Sequence, residues 1–347
     1  MRKTKSVKKT KSRKLEHIKI CLNQNVQFRE KTTGFERMDF AAVDLTYKAL
    51  PEINKKEINT ETKFLGKKFS APLMVTAITG GVPEAKTINL DIAKACQALG
   101  LGMGLGSQRA MLEDKKVSNT YKVRDIAPDI FIAGNIGVLQ IQEYSVSDIK
   151  WMLDEVEADA LAIHINAAQE ALQKDGATTF KGGLRGIKKL AKNLKKPVYV
   201  KEVGHGISAD VAKLLSDTGI KAIDVAGAGG TSWIGVDSLR GNKESGEVFW
   251  DFGIPTLESL IQVKESFKGQ IVASGGIRNG LEMAKALVLG ADMCGIALPV
   301  LKAQNAGGSA GVEKYLRMRI EELKTAMFLT GAKNIKELKQ QKVVSYT

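Results

Sequence analysis

The segment SGGIRNGLEMAKALVLGADMCGIALP (274–299) links two short apolar runs through an amphipathic stretch. The run before the link is QIVASGG (270–276), and the run after it is ADMCGIAL (291–298). Short, almost continuous apolar runs are typical of parallel strands that are covered on both faces, and the longer stretch between them is typical of a helix. The segment therefore predicts one strand–helix–strand unit.

The same alternation recurs along the chain from Pro72 onward. An example of the intervening stretches is AKTINLDIAKACQALG (85–100), in which Ile88, Ile92, Ala95 and Leu99 recur at helical spacing. Eight parallel strands, each followed by a helix, predict an α/β protein with a (β/α)8 barrel. The predicted strands are residues 72–79, 101–106, 129–137, 160–166, 197–203, 221–227, 270–276 and 291–298.

A doubly wound open sheet is the alternative fold. It would need a glycine-rich turn after the first strand and an acidic residue about 20 positions further on. The segment GLGMGLG (100–106) has the glycines, but it overlaps its own strand, and such triplets are a weak signal. The barrel is therefore preferred.

Two segments depart from the regular spacing. Residues 229–253, GGTSWIGVDSLRGNKESGEVFWDFG, form a long, glycine-rich and polar connection after the sixth strand, too long for a plain βα turn. A loop of this length in a compact domain is usually either functional or disordered. The chain before residue 70 is an N-terminal extension. We predict a basic flexible tail at 1–12 and a single barrel domain over 13–347.

Charge is concentrated at the N-terminus. The 347 residues carry a net charge of +14, and residues 1–20 contribute nine Lys/Arg against one Glu. Terminal charge runs are commonly solvated tails, but such a run also fits an anion site for nucleic acid or for a phosphorylated metabolite. Composition alone does not separate these interpretations.

Composition narrows the class of protein. With 44% hydrophobic and 26% charged residues, the chain has the composition of a globular protein. Apolar runs are too short to span a bilayer, and the basic start lacks the apolar stretch of a signal peptide. The three cysteines, Cys21, Cys96 and Cys294, are too far apart for a zinc knuckle and odd in number. We therefore expect a cytoplasmic protein without a membrane partner.

Reacting groups in barrels lie where the strands end at their carboxyl side. Here these positions are mostly basic, amide-bearing or glycine-rich, which favours an anionic ligand. In strand order they are Thr79, Gly80 and Gly81; Ser107, Gln108 and Arg109; Asn135; His164, Asn166, Gln169 and Glu170; Lys201 and Glu202; Gly229, Gly230, Thr231, Ser232 and Trp233; Ser274, Gly275, Gly276 and Arg278; and Ala297 and Leu298.

The last two strands predict a phosphate site. SGGIRNG is followed about 20 residues later by GIALP, and neighbouring strands place their loops side by side. Glycines let backbone N–H groups approach an oxyanion closely, and Arg278 adds positive charge. Gly275 and Gly276 could instead serve only a tight turn, but the pairing with the eighth strand favours phosphate.

Two further motifs carry candidate chemistry. Lys201 lies inside the apolar run PVYVKEV, where an unpaired ammonium would be costly, so we predict a functional role. The motif HINAAQE (164–170) brings a His, two amides and a carboxylate to the barrel mouth. One carboxylate is too few for an all-protein metal cage, yet it suits Mg²⁺ shared with a diphosphate and water.

These residues coincide with the motifs of a known family. The chain resembles the type 2 isopentenyl-diphosphate isomerases, flavin-dependent enzymes of isoprenoid biosynthesis whose fold is an FMN-binding (β/α)8 barrel. The matching segments are RKLEHI (13–18), TAITGG (76–81), GLGSQR (104–109), HINAAQE (164–170), KEVG (201–204), GAGGTSW (227–233), ASGGIRNGLEMAKALVLGA (273–291), GIALP (295–299) and KTAMFLTG (324–331).

The resemblance implies roles for individual residues. Gln169, facing the reacting carbons, and Lys201, beside the flavin, would be catalytic, and Glu170 would hold Mg²⁺. Residues 13–70 would clamp the substrate. FMN would contact Ala77, Ile78, Thr79, Ser107, Asn135, Lys201, Thr231, Gly276, Ile277, Arg278, Ala297 and Leu298. The substrate diphosphate would contact Arg13, Lys14, Gln108, Arg109, His164, Asn166 and Gln169.

The implied reaction is a 1,3-allylic proton transposition between isopentenyl and dimethylallyl diphosphate. The flavin must be reduced, by NADPH or NADH, although the reaction has no net redox change. Lys201 near the ring would favour the anionic reduced form. The resemblance also implies a homo-tetramer or homo-octamer, and it says nothing about the tail before Arg13.

Three alternative functions fit the sequence less well. FMN-dependent 2-hydroxy acid oxidases share the phosphate loop, but they need a catalytic His closely followed by Arg after the sixth strand, where this chain reads GAGGTSW. The same segment lacks the nucleophilic Cys of an IMP dehydrogenase. RNA association through the basic tail lacks interleaved aromatic residues, so we expect no specific nucleic-acid partner.

Overall fold

The computed structural model describes residues 2–29, 40–241 and 243–345. Eight parallel strands close into a barrel, each hydrogen-bonded to its two neighbours. All eight predicted strands are present, and each is shorter than the apolar run that predicted it. The (β/α)8 fold is therefore confirmed, and the doubly wound alternative is excluded because the sheet has no open edge.

The strands are β1 Val43–Leu45, β2 Thr62–Phe64, β3 Lys67–Phe69, β4 Leu73–Val75, β5 Gly102–Gly104, β6 Ile132–Gly137, β7 Ala160–His164, β8 Val198–Lys201, β9 Ala222–Asp224, β10 Gln270–Ser274, β11 Met293–Ile296 and β12 Val343–Ser345. The barrel consists of β4 to β11 in chain order, and β9 pairs with β10.

The helices are α1 Arg2–Asn23, α2 Pro83–Leu99, α3 Arg109–Glu113, α4 Val146–Glu155, α5 Ala167–Leu172, α6 Gly183–Asn193, α7 Ala209–Ser216, α8 Trp233–Leu239, α9 Lys243–Phe249, α10 Thr256–Ser266, α11 Gly280–Val288, α12 Leu298–Thr330 and α13 Ile335–Leu338. Among the described residues, no helix has the length and apolar character needed to cross a bilayer.

The amino-terminal end of the barrel is closed by the β2–β3 hairpin. Its Phe64 packs edge-on against Phe131 and Tyr199, with ring centroids 5.7 and 6.2 Å apart. These side chains are buried together with small residues from the starts of the barrel strands. In the part of the chain that the structure describes, the barrel is thus a filled core at this end, which leaves its carboxyl end for a ligand.

The helix predicted over residues 85–100 is present as α2. Ile88, Ile92, Ala95 and Leu99 are all buried, as their helical spacing predicts. Gly100 ends the helix with a left-handed φ of 62°, and its N–H donates to the carbonyl of Cys96. A glycine is favoured there because other residues adopt this conformation at a steric cost.

The connection after β9 has more regular structure than its glycine-rich, polar composition predicted. Residues 229–253 contain both α8 and α9, so the loop interpretation was wrong. Ser232 caps α8, since its hydroxyl accepts the N–H of Gly235. Gly235 packs under Trp250, where a Cβ atom would lie 2.6 Å from the ring. The glycines of this segment therefore serve close helix packing as well as turns.

The basic N-terminus does not change structure at residue 12. The backbone of Arg2–Asn23 is one helix of 22 residues, so the predicted boundary between tail and domain lies inside α1. The side chains of residues 2–11 lie outside the described part, as do residues 30–39 of the predicted substrate-clamping segment. The separate flexibility of residues 1–12 stays a prediction.

Lys285 of α11 joins the N-terminal segment to the barrel. Its Nζ donates to the carbonyl of Phe40 over 2.9 Å and lies 2.8 Å from a carboxylate oxygen of Asp44. The lysine side chain is 7% exposed, whereas that of Asp44 is 51% exposed. Loss of the Lys285 ammonium would therefore cost more at the buried Phe40 carbonyl than at the exposed Asp44 carboxylate, which water can solvate.

We expect the substitution Lys285→Met to lower the free energy of unfolding by about 1–3 kcal/mol, because it leaves a buried carbonyl without a donor. The matched change Asp44→Asn removes only an exposed charge and should cost less than about 1 kcal/mol. Urea unfolding of both variants measures the difference. Equal, small losses would contradict the expectation.

Candidate active site

A cavity opens at the carboxyl end of the barrel, under α1. Every residue predicted to contact FMN, the substrate diphosphate or Mg²⁺, except Gln108, contributes to its lining. The strand ends supply most of these residues, α1 supplies Arg13 and Lys14, and the start of α12 supplies Leu298. Residues far apart in sequence therefore come together as the barrel prediction requires.

Gln108 does not face this cavity, so its prediction as a substrate ligand is not supported. Its side chain is fully buried between neighbouring elements. Oε1 accepts the N–H of Asn135 over 2.8 Å, and Nε2 lies 3.1 Å from the sulfur of Met111. An amide satisfied inside the barrel wall positions Asn135 and has no donor to offer a diphosphate.

Glycines at the end of β10 form an oxyanion cradle. Gly275 and Gly276 have φ values of 95° and 92°. A Cβ on Gly276 would lie 2.6 Å from the backbone of Gly229, so the two loops touch through their backbones alone. Only glycine allows both the left-handed conformation and this approach. Exposed backbone N–H groups in such loops suit a phosphate, which is the group that FMN would place there.

Arg278 borders the same cradle. Its Nη2 donates to Gln27 Oε1 over 2.5 Å and lies 3.3 Å from the carbonyl of Gly229. Gln27 belongs to the strap of residues 26–29, which pairs with Thr231 beside the cradle. Gln27 was not predicted as a site residue, because its sequence context carries no motif.

Lys201 ends β8 at the floor of the cavity. It is 7% exposed, and its Nζ donates to the carbonyl of Glu202. Burial lowers the pKa of the Lys201 ammonium, an effect opposed by Asp224 and Glu202. The predicted mid-strand lysine therefore faces the barrel mouth, where a flavin ring would lie.

His164 is held as a neutral group. Burial, followed by the charges of Lys201 and Lys14, lowers the pKa of His164 to about 3. Its Nδ1 lies 2.8 Å from Oδ1 of Asn135, which in turn donates from Nδ2 to the carbonyl of Leu105 over 3.0 Å. These two consecutive hydrogen bonds, from the Leu105 carbonyl through the Asn135 amide to His164, fix the imidazole ring at the cavity wall.

Gln169 is oriented by a network that sequence analysis missed. Its Nε2 donates to Oδ2 of Asp237 over 3.0 Å, and its Oε1 accepts from Nδ2 of Asn166 over 3.1 Å. Oδ1 of Asp237 also lies 3.2 Å from Nε2 of His17 and 2.7 Å from Nη1 of Arg240. Both amide ends of Gln169 are thereby fixed.

Asp237 is buried, yet it is held as a carboxylate. Burial opposes ionisation, but hydrogen bonds from His17, Gln169 and Arg240 keep the pKa of Asp237 below its usual value. The residue lies on α8, four positions after Trp233, which packs edge-on against the His17 ring at 5.1 Å. Asp237 could have been predicted as a site residue only if the sequence had been recognised as forming α8.

Glu170 is the only predicted metal ligand. Its Oε1 accepts from Nδ2 of Asn166 over 3.2 Å, and its Oε2 accepts the N–H of Ala177 over 2.8 Å. Among the described residues, no group of three His, Cys, Asp or Glu side chains is arranged to hold a metal. A cation here would need oxygen ligands from a substrate, as the sequence predicts.

Three cationic side chains stand over the opening. Arg109 donates from Nε to Glu113 over 2.8 Å, and burial together with Arg109 lowers the pKa of Arg13. Lys14 donates to the carbonyls of Gly80 and Ser107 and to the Tyr121 hydroxyl. These three acceptors fasten α1 to the barrel rim, while burial and then Arg13 lower the pKa of Lys14 to about 7.

One buried donor in the cavity lining has no partner among the residues that the structure describes. Nε2 of Gln173, just after α5, is enclosed and makes no hydrogen bond within the described residues. A buried amide normally finds an acceptor. The unpaired donor fits a cavity that takes a polar ligand close to Glu170.

Comparison with known proteins first identifies the family of proteins to which the chain belongs. A model of the FMN-dependent dehydrogenase family matches residues 8–124 and 139–345. The chain therefore belongs to this family of flavoproteins. Among solved structures, a lactate oxidase of Pediococcus acidilactici covers 99% of this chain and 94% of its own, with a TM-score of 0.70 at 18% identity. A mandelate oxidase gives a TM-score of 0.67, also at 18% identity, with 96% of each chain covered. At this identity the likeness shows the fold alone.

Closer relatives narrow the class. An isopentenyl-diphosphate delta-isomerase of Pyrococcus furiosus is 43% identical over 344 residues, which cover 96% of this chain and 86% of that protein. The same enzyme of Methanosarcina mazei is 44% identical, with 96% and 92% covered. Within the flavoprotein family the chain thus groups with these isomerases, and the resemblance inferred from its motifs is confirmed.

Proposed function

We propose that this protein is an isopentenyl-diphosphate delta-isomerase that uses reduced FMN. The observation that carries the proposal is the 43–44% identity to isomerases over 96% of the chain. The reaction moves a proton between two carbons of an allylic system and leaves the diphosphate intact. Bound FMN in its reduced form would supply an electron-rich ring and an exchangeable proton.

The glycine cradle and the N-terminus of α12 hold the cofactor phosphate. Gly276, Ile277 and Arg278 lie at the end of β10, and Ala297 and Leu298 lie at the next strand end. Ala77, Ile78, Thr79, Ser107 and Thr231 surround the space left for the ring. Lys201 also lines this space, and its positive charge would stabilise negative charge on a reduced ring.

The cationic side chains of α1 and α3 bind the substrate diphosphate. Arg13 and Arg109 face the cavity, and His164 and Asn166 line the wall beneath them. Guanidinium groups suit phosphate oxygens because their N–H donors form a planar fork. Enclosure under α1 excludes water from the reacting carbons, which protects any cationic character that develops there.

Gln169 acts on the reacting carbons by position rather than by acidity. An amide is a poor acid, so its role is to orient the substrate or a proton-carrying group. Asp237 and Asn166 fix its two ends at 3.0 and 3.1 Å. NADPH or NADH as the reductant, and a homo-tetramer or homo-octamer as the assembly, are also part of the proposal.

The deciding experiment uses the purified holoenzyme. We expect a yellow protein with FMN that converts isopentenyl diphosphate to dimethylallyl diphosphate anaerobically with NADPH and Mg²⁺. Oxidation of lactate or mandelate by the same preparation serves as the contrasting assay. A colourless protein that does not take up FMN, or a flavoprotein that oxidises hydroxy acids and leaves isopentenyl diphosphate unchanged, would overturn the proposal.

We expect Glu170→Gln to raise the Mg²⁺ concentration needed for half-maximal activity by about 100-fold, because a neutral amide loses the charge that a hard cation prefers. Activity assays over a series of Mg²⁺ concentrations measure this change, and calorimetric titration of Mg²⁺ with and without isopentenyl diphosphate measures the binding itself. The unsubstituted protein should bind Mg²⁺ tightly only with the diphosphate present, since Glu170 is a single protein ligand. Tight Mg²⁺ binding to the substrate-free protein would contradict this expectation.

A further inference from the structure

Asp224 is a buried carboxylate for which the proposed reaction has no use. It ends β9 inside the barrel and is 1% exposed. Its Oδ1 accepts from the Ser274 hydroxyl over 2.6 Å and from the N–H of Ala226 over 3.2 Å. A buried carboxylate costs stability unless a positive charge or hydrogen bonds compensate it. We therefore expect a positive charge that compensates Asp224 on one of the strands beside β9.

Register places that partner on the next strand. Lys201 of β8 pairs with Asp224 of β9 across the sheet, and His164 of β7 pairs with Lys201 on its other side. Paired residues on adjacent strands point to the same face, so all three side chains turn inward. His164 is neutral because burial and the nearby ammonium lower its pKa to about 3.

The other carboxylate near Lys201 is already engaged. Oε2 of Glu202 accepts the N–H groups of Val203, Gly204 and His205 over 2.6, 2.6 and 2.5 Å. It holds the loop after β8, as a structural partner would. Of the charges that favour the protonated form of Lys201, Asp224 ranks before Glu202. Asp224 is therefore the carboxylate that faces Lys201 directly across the sheet. Burial raises the pKa of Asp224, an effect that Lys201 and the Ser274 hydroxyl oppose.

We propose that Asp224 is a positioning residue that acts through Lys201, keeping its ammonium charged beneath the flavin and so raising the reduction potential of bound FMN. The inference rests on the proposed FMN site and adds a residue to it. Without the carboxylate, the enclosed lysine would lose its proton, since burial disfavours the charged form. A neutral amine would no longer stabilise negative charge on the reduced ring.

The substitution Asp224→Asn tests this by the sign of its effect. If Lys201 loses its proton, the reduced flavin loses a positive neighbour and the potential falls. If Lys201 stays charged without help, removing a negative charge leaves the site more positive and the potential rises. We expect a fall, corresponding to about a tenfold change in the relative affinity for reduced and oxidised FMN, which is roughly 30 mV for a two-electron couple.

The measurement is the midpoint potential of FMN in the holoenzyme, equilibrated with a reference dye. A rise, or an unchanged potential, would overturn the proposal. The same substitution in a Lys201→Met background should no longer lower the potential, because the group through which Asp224 acts is gone. An equal fall in that background would show that Asp224 acts on the flavin independently, and would likewise refute the proposal.

Ser274→Ala provides a second variant in case Asp224→Asn does not retain FMN. It deletes the hydroxyl that stabilises the carboxylate but changes little volume, so the potential should fall in the same direction by a smaller amount. An unchanged or raised potential contradicts the inference. Because these measurements need bound FMN and no substrate, their outcome is separable from whether the protein isomerises isopentenyl diphosphate.

Discussion

Replacing Gly276 by alanine should give a folded barrel that no longer retains FMN. The new Cβ would lie 2.6 Å from the backbone carbon and oxygen of Gly229, and the residue would keep a φ of 92°. Backbone atoms cannot rotate away as a side chain can, so the two loops must separate. We expect the dissociation constant of FMN to rise at least 100-fold, since the phosphate loses several N–H donors together.

Gly66 offers a matched control for this substitution. It turns the β2–β3 hairpin with a φ of 86°, yet nothing lies within 4 Å of the position of its Cβ. Gly66→Ala carries the same backbone strain, about 1–2 kcal/mol, without a clash and far from the cavity. Flavin fluorescence titration should show unchanged FMN affinity for this variant. Tight FMN binding by Gly276→Ala would place the phosphate elsewhere.

Hydrophobic patterning was sufficient to predict the barrel. Each strand is buried on both faces, so its sequence is a nearly uninterrupted apolar run, and eight such runs with helices between them admit few arrangements. The glycines of GLGMGLG show the limit of motif matching. A Cβ on Gly102 would lie 2.6 Å from the ring of Phe69, so this glycine serves packing at the closed end of the barrel.

Strand ends predicted most of the cavity, because the barrel alone decides which residues reach its mouth. The direction in which a side chain points is harder to predict from sequence than the position of its residue at a strand end. Gln108 stands between cavity residues Ser107 and Arg109, but it is the N-cap residue of α3, and its amide turns into the wall. The backbone dihedral angles at the residue before a helix decide to which side its side chain points. A single sequence does not indicate these angles, so the direction of the Gln108 side chain could not be predicted.

Partners from distant segments were the other gap. The connection 229–253 looks like a loop by its glycine content, so the carboxylate of Asp237 had no predicted place. In the fold it lies opposite His17 of α1, more than two hundred residues earlier in the chain. Contacts of this kind arise from the closure of α1 over the barrel, which local propensity does not encode.

The substitution Asp237→Asn should lower the kcat of isomerisation by about 100-fold. The carboxylate accepts from Gln169 over 3.0 Å, from His17 over 3.2 Å and from Arg240 over 2.7 Å. An asparagine offers one oxygen and turns an N–H₂ group toward donors, so at least one of them loses its acceptor. Loss of a charge-assisted hydrogen bond costs about 1.5–3 kcal/mol, and each 1.4 kcal/mol is a factor of ten in rate.

Measurements of kcat, KM and FMN content separate this role from a general loss of structure. Asp237 does not border the glycine cradle, so FMN content should be unchanged, and KM for the diphosphate should change less than kcat.

Glu16→Gln is the matched control: it breaks the exposed contact with Arg240 at 3.0 Å and leaves Asp237 in place. An exposed ion pair contributes little, so activity should stay within about twofold. If both variants lose activity equally, the requirement lies in anchoring α8 to α1; if only Asp237→Asn does, the fixed amide of Gln169 is what the reaction needs.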